Sequence, residues 1–177
     1  MPMFSFTLIQ KIEGHSDKIA GLVVEEIRRD PQLRSTGSLH CDELARRARD
    51  LLGNLGHWLV ANDPEVAHWS EPLGRSRFES SIPLHELIRC LLIVKARLIA
   101  FSRQESSGTA LQIYAEEELE HRVGRFFDEV IYYVAKGYES ARQDSTGDQG
   151  RIPGTGAGDD KAKWANKLKF HATHNTG

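Results

Sequence analysis

Apolar residues return every three or four positions along most of the chain, the spacing that one face of an α-helix needs. The first such segment runs from about Phe6 to Arg29. Leu8, Ile12, Ile19, Val23 and Ile27 share its apolar stripe, and Ile9, Ala20 and Leu22 widen it. Pro31 ends the segment by disfavouring helical geometry at Asp30, and Gly14 marks a point for a kink. The second segment, Leu39 to Ala61, gathers Leu44, Ala48, Leu51, Leu52, Leu55, Trp58 and Leu59 on one face. Ser38 is placed to cap it, and Asp42 and Glu43 suit the positive end of its dipole. Residues 62–81 read as less regular: an Asn62-Asp63-Pro64 turn, a short helical piece from Glu65 to Trp69, and a second break at Pro72 and Gly74.

A third long helix is predicted from Pro83 to about Arg103, with Leu84, Leu87, Ile88, Leu91, Leu98 and Ile99 on one side. Proline suits a first turn, where its missing donor has no partner to lose. After a loop at residues 104–108, the fourth helix spans Thr109 to Ala141 and carries Leu119, Val123, Phe126, Phe127, Val130, Tyr133 and Val134. Four long helices with short extra ones predict an all-α fold, in bundle or globin-like packing. Residues 143–177 change to a polar composition and are expected to form a flexible, disordered tail after a helical domain at residues 1–142. Within that tail Lys161, Lys163, Lys167 and Lys169 surround Trp164, Leu168 and Phe170. Such a segment is either solvated or folds as a short helix against an acidic partner or a membrane surface.

Composition narrows the picture further. The 177 residues leave room for one ordinary domain, and a formal net charge of −2 gives no basic excess for nucleic acid. Cys41 and Cys90 stand far apart without C-x-x-C spacing, as reduced thiols of a cytoplasmic protein do. No segment approaches the roughly 20 apolar residues that span a bilayer, and the N-terminus lacks the basic flank of a signal peptide.

Candidate chemistry is sparse. Glu118 and His121, like Glu65 and His68, have the Glu-x-x-His step of ferritin-like di-metal bundles. Helix phase sets Glu118 about 120° from the centre of the apolar face, however, and the second copy falls in the broken region. His57, His85 and His121 are the residues a haem-binding relative would use, although histidines near helix ends more often sit at the surface. No nucleophile motif or phosphate loop is present, so neither catalysis nor a cofactor is expected. Lys95 is unusual, since its phase places it inside the stripe of Leu84, Ile88, Leu91 and Leu98. It either snorkels to a rim or meets an acid such as Glu118 or Asp128 across a signal-receiving pocket.

Three stretches carry a family resemblance. They are Gly74-Arg-Ser-Arg77-Phe78 through Ile82-Pro83-Leu84-His-Glu86-Leu87-Ile88, then Arg125-Phe126-Phe127-Asp128 with Tyr132, Tyr133, Gly137 and Tyr138, and Ile27-Arg-Arg-Asp30-Pro31. In order and spacing they resemble the N-terminal domain of the stressosome co-antagonist (RsbRD) family. Related domains precede bacterial sensor kinases and transcription regulators. The resemblance spans about Leu8 to Ala141 and implies a haem-free globin-like or bundle fold acting in signal input or protein docking, often as a dimer. It also implies that Arg77, Pro83, Leu84 and Glu86 form the turn into the third long helix. Two departures stand out: Ser81 occupies a place where glycine is common, and a polar tail follows where the family's phosphorylatable output domain usually lies.

The expectation is therefore a non-enzymatic, cytoplasmic sensor or adaptor that forms a homodimer and binds a regulatory protein. Ile131 and Tyr138, toward the outer side of the fourth helix, are the candidate interface. A haem or small-ligand sensor and a ferritin-like di-metal protein are the alternatives.

Overall fold

The computed structural model describes residues 3–37, 41–104 and 109–149, and the side chains of 6–37, 42–104 and 109–146. The described residues form eight helices and no strand. Expectations for Ser38 and for the basic aromatic stretch at residues 161–170 lie outside them.

The first apolar segment bends where glycine weakens it. Helices α1 (Met3–Gly14) and α2 (Ser16–Arg29) meet at His15, whose amide donates to the Lys11 and Ile12 carbonyls at 3.1 Å each. The stripe continues through the bend, so Leu8, Ile9, Ile12, Ile19, Ala20, Val23 and Ile27 are all buried. A four-residue helix, α3 (Arg34–Gly37), follows; it is too short to show a period.

The second segment also divides, into α4 (Cys41–Leu52) and α5 (Leu55–Trp58). Asn54 closes the end of α4, donating its side-chain amide to the Asp50 carbonyl at 2.8 Å. From α1, Glu13 accepts the Gly56 amide at 2.8 Å and so caps the start of α5. A distant carboxylate makes the break stable, and the apolar spacing that crosses it hides it from sequence.

Residues 62–81 differ most from expectation. Instead of a broken stretch they form one continuous 17-residue helix, α6 (Asp63–Glu79). Asn62 starts it with a reciprocal capping box: its side chain accepts the Glu65 amide, and the Glu65 carboxylate accepts the Asn62 amide. Pro72 removes one donor within the helix. Gly74 is no break, because it lies where α6 crosses the last helix.

Helix α7 (Leu84–Gln104) is antiparallel to α2, with the ion pairs Arg89–Asp30 and Arg97–Glu26 along the seam. Helix α8 (Ala110–Gln149) runs on past its expected end at Ala141. Residues 142–146 are exposed and helical all the same, since adding residues to a formed helix needs no further burial. Alongside α7, α8 is antiparallel and held by Lys95–Asp128 at 3.5 Å and Arg103–Glu120 at 2.6 and 2.8 Å.

Contacts gather the chain up to Arg142 into one compact unit, with a core shared by its long helices. Phe127, Leu98, Leu119, Val123 and Val130 are fully enclosed, each contributing on the order of 1.5–3 kcal/mol of apolar burial. Trp58 joins α5 to the rest, with its ring 5.1 Å from Trp69 and 6.2 Å from Phe126.

Candidate functional site

Helices α2, α4, α6 and α7 bound a cavity of about 490 Å³. Val23, Leu44, Leu51, Leu87 and Leu91 supply much of its apolar wall. Helix α6 contributes Trp69, Pro72, Leu73, Ser76 and Arg77, spaced as one face of an unbroken helix. Continuity of α6 through Pro72 and Gly74 is therefore what builds this side of the cavity.

The charged groups of the wall are few and mostly cationic. Arg77 is buried, only 6% exposed, and its Nη2 lies 3.4 Å from Glu43 Oε1. That same oxygen accepts from Arg47 Nε at 3.1 Å, so two guanidinium groups share one carboxylate. Burial, and then repulsion from Arg47, lower the Arg77 pKa, while Glu43 works against them. Arg46 pairs with Asp50 across 3.3 Å at the same wall.

Behind this wall Glu86 reaches from α7 to the start of α3. Its Oε2 accepts the Thr36 amide at 2.8 Å and the Thr36 hydroxyl at 3.0 Å, and its Oε1 accepts the Ser35 amide at 3.3 Å. Burial pushes the carboxyl up, but these donors together outweigh it and hold Glu86 below the ordinary carboxylate range. Cys90, one turn on, also lines the cavity; burial is the main cause that pushes its thiol up to about 11. It is a neutral thiol at pH 7.

The turn from α6 into α7 follows from the backbone. Ser81 sits at φ 57°, and the amides of Ser81 and Ile82 donate to the carbonyls of Phe78 and Arg77 at 2.9 Å each. This left-handed cap satisfies the end of α6 while turning the chain. The Pro83 carbonyl then accepts the amides of Glu86 and Leu87, so Pro83 stands just before α7 rather than within it. Arg77, Pro83, Leu84 and Glu86 are thus brought to one corner, where Arg77 faces the cavity and half-buried Leu84 is off its wall.

Other candidates fall elsewhere. Lys95 is half-buried and reaches Asp128, a carboxylate 75% exposed. The pair bridges α7 and α8, and neither residue lines the cavity at Arg77. Ile131 is half-buried against the core, and Tyr138 packs edge-on to Phe78 at 5.3 Å. Both keep part of their surface open to solvent. The large exposed apolar side chains of α8 are Leu111, Ile113, Tyr114 and Tyr132. His57, His68, His85 and His121 are all exposed, and Glu118 is paired with Arg122 at 2.6 Å. Among the described residues no three metal-binding side chains converge. Sequence reasoning missed Thr36, Glu43, Trp69 and Cys90 at this site; an Arg77 and Trp69 two turns apart on one face was the available signal.

The model of one protein family, described as the RsbT co-antagonist protein rsbRD N-terminal domain, matches residues 17–152. No curated protein and no solved structure matches the chain. The family match takes in every residue of the cavity wall, from Val23 to Val94, and the crossing of α6 with α8. With helices throughout the described residues and the family match over residues 17–152, the chain belongs to the RsbT co-antagonist rsbRD N-terminal domain family, whose members serve stress-response signalling.

Proposed function

We propose that this protein is a non-enzymatic, cytoplasmic signal-input module that self-associates and docks a regulatory protein partner. The family match over residues 17–152 carries the reading. The family is named for co-antagonism of RsbT, so RsbT is the partner to test. The state of the internal polar groups supports a structural rather than catalytic use: Glu86 caps a helix, Arg77 pairs with Glu43, and the Cys90 thiol is neutral. No described helix is long and apolar enough to cross a membrane.

Self-association uses exposed apolar side chains of α8, with Tyr132 next in sequence to the half-buried Ile131. Tyr132 is 63% exposed and Tyr114 is 73% exposed, and both lie on α8. Sedimentation velocity of the full chain is expected to show a dimer that Tyr132→Asp shifts toward monomer. A monomer at all concentrations removes the dimer from the reading. Purified RsbT passed over the immobilised full chain is expected to be retained, and also over a chain ending at residue 142 if the tail is dispensable. Failure of both forms to retain it overturns the docking role.

A further inference from the structure

The cavity between α2, α4, α6 and α7 is large for a helical unit of this size and has an asymmetric charge. An engineered apolar cavity of about 150 Å³ holds a benzene molecule. The present one is about 490 Å³, roughly three times that volume. It also falls inside the range of roughly 300–1,000 Å³ typical of small-molecule sites.

Its wall carries three cations, Arg46, Arg47 and Arg77, and one carboxylate, Asp50. Arg46 and Asp50 neutralise each other. Glu43, the acid that Arg47 and Arg77 share, is not part of the wall. Glu86 is close by, but it is turned to the start of α3 and held there by Thr36 and Ser35. The cavity side of Arg77 thus presents a buried guanidinium with half a counter-charge. A guanidinium offers five N–H donors in a fixed fork that suits a carboxylate, and among the described residues the ion-pair partner of Arg77 is Glu43 alone. Trp69, Leu44, Leu51 and Leu91 form an apolar surface beside it.

We propose that this cavity binds a small monocarboxylate with a hydrocarbon body, its carboxylate on Arg77 and its chain along Trp69, Leu51 and Leu91. A second negative charge relieves the repulsion between Arg77 and Arg47 and replaces solvation that Arg77 loses on burial. A neutral chain of equal length gains the apolar contact without that relief, and a cationic one adds to the repulsion. Charge is what selects the ligand. Use of the site as the signal input rests on the signalling role proposed above, whereas binding does not.

Isothermal titration calorimetry of the full chain with sodium decanoate, below its micelle concentration, tests the site directly. One decanoate is expected per chain, with 1-decanol bound at least tenfold more weakly and decylammonium weaker still. Arg77→Met is expected to cost at least tenfold in decanoate affinity, with circular dichroism verifying that it folds. Ser76→Trp, at a half-buried wall position that takes no part in the ion pairs, places an indole in the cavity and is expected to abolish binding; it decides the matter if Arg77→Met does not fold. Absence of saturable decanoate binding, equal affinity for decanol, or unchanged binding by the folded Ser76→Trp variant would overturn the proposal. Binding that persists while RsbT retention fails would leave the site standing and remove only the signalling role.

Discussion

Two glycines hold α6 against α8, and placing a methyl group on either is a sharp test of the fold. A Cβ built on Gly74 falls 2.0 Å from the Val134 carbonyl oxygen and 2.9 Å from the Tyr138 nitrogen. One built on Gly137 falls 2.1 Å from the Glu71 carbonyl oxygen. These are backbone atoms of the opposing helix, so no side chain can rotate away, and the helices must separate by about 1.4 Å to restore ordinary contact. Inserting such a group into a packed interior costs typically about 1–3 kcal/mol, and occasionally more. Alanine returns up to about 1 kcal/mol of helix propensity. With rigid backbone on the far side, the upper end of the packing cost applies, and Gly74→Ala is expected to lose about 2 kcal/mol net. That corresponds to roughly 4–8 °C in melting temperature for a chain of this size. Urea denaturation followed by helical circular dichroism reads the change. Gly21→Ala is the control: nothing lies within 4 Å of its built Cβ, so propensity acts alone and stability should hold or rise. The double variant Gly74→Ala/Gly137→Ala should lose less than the sum of its parts, because one separation relieves both clashes. A Gly74→Ala variant as stable as the parent would refute the close crossing.

Other outcomes follow from the corner beside the cavity. Glu86→Gln is expected to cost about 1–3 kcal/mol at pH 7, as a charge-assisted cap on α3 weakens. Because the folded-state pKa of Glu86 is lowered, its contribution is complete above the unfolded carboxylate pKa of about 4.3 and is lost as pH falls through the folded value. The stability gap between parent and variant should therefore close on acidification, as urea titrations at several pH values would show. Ser81→Gly should stabilise by about 1 kcal/mol, since glycine carries no penalty at φ 57°; a loss of stability would contradict the left-handed cap. In a Cys41→Ser background, Cys90 should react with a thiol reagent at neutral pH on the order of 100-fold more slowly than a thiol at the reference value of 9.0, and urea should abolish that protection.

The helical class and most of the core were legible because burial repeats with the helix period. Ile19, Val23, Leu44, Leu51, Leu98, Val123, Phe127 and Val130 were assigned to apolar faces by spacing, and all are buried. Periodicity does not register a break that leaves the face in phase. Leu52 and Leu55 are both buried, on either side of the Gly53-Asn54 interruption, so the end of α4 was invisible. Local breaker residues misled in the opposite direction at α6. Pro72 and Gly74 disfavour an isolated helix, yet the capping box at Asn62 and packing against α8 sustain it. Tertiary contact overrode local propensity there.

The candidate site was legible only in fragments. Arg77 and Glu86 stood out through family resemblance, and Lys95 through its place in an apolar stripe. Nothing in the spacing showed that Glu86 would turn to Thr36, 50 positions away, or that Arg47 and Arg77 would share Glu43. By itself the order of residues determined which faces are apolar and hence that helices pack on helices, because that information repeats every turn within a segment. Which charges meet, where a cavity is left and which glycines must stay bare were decided only when distant segments came together. Those outcomes depend on how one helix crosses another, a quantity that no single helix carries.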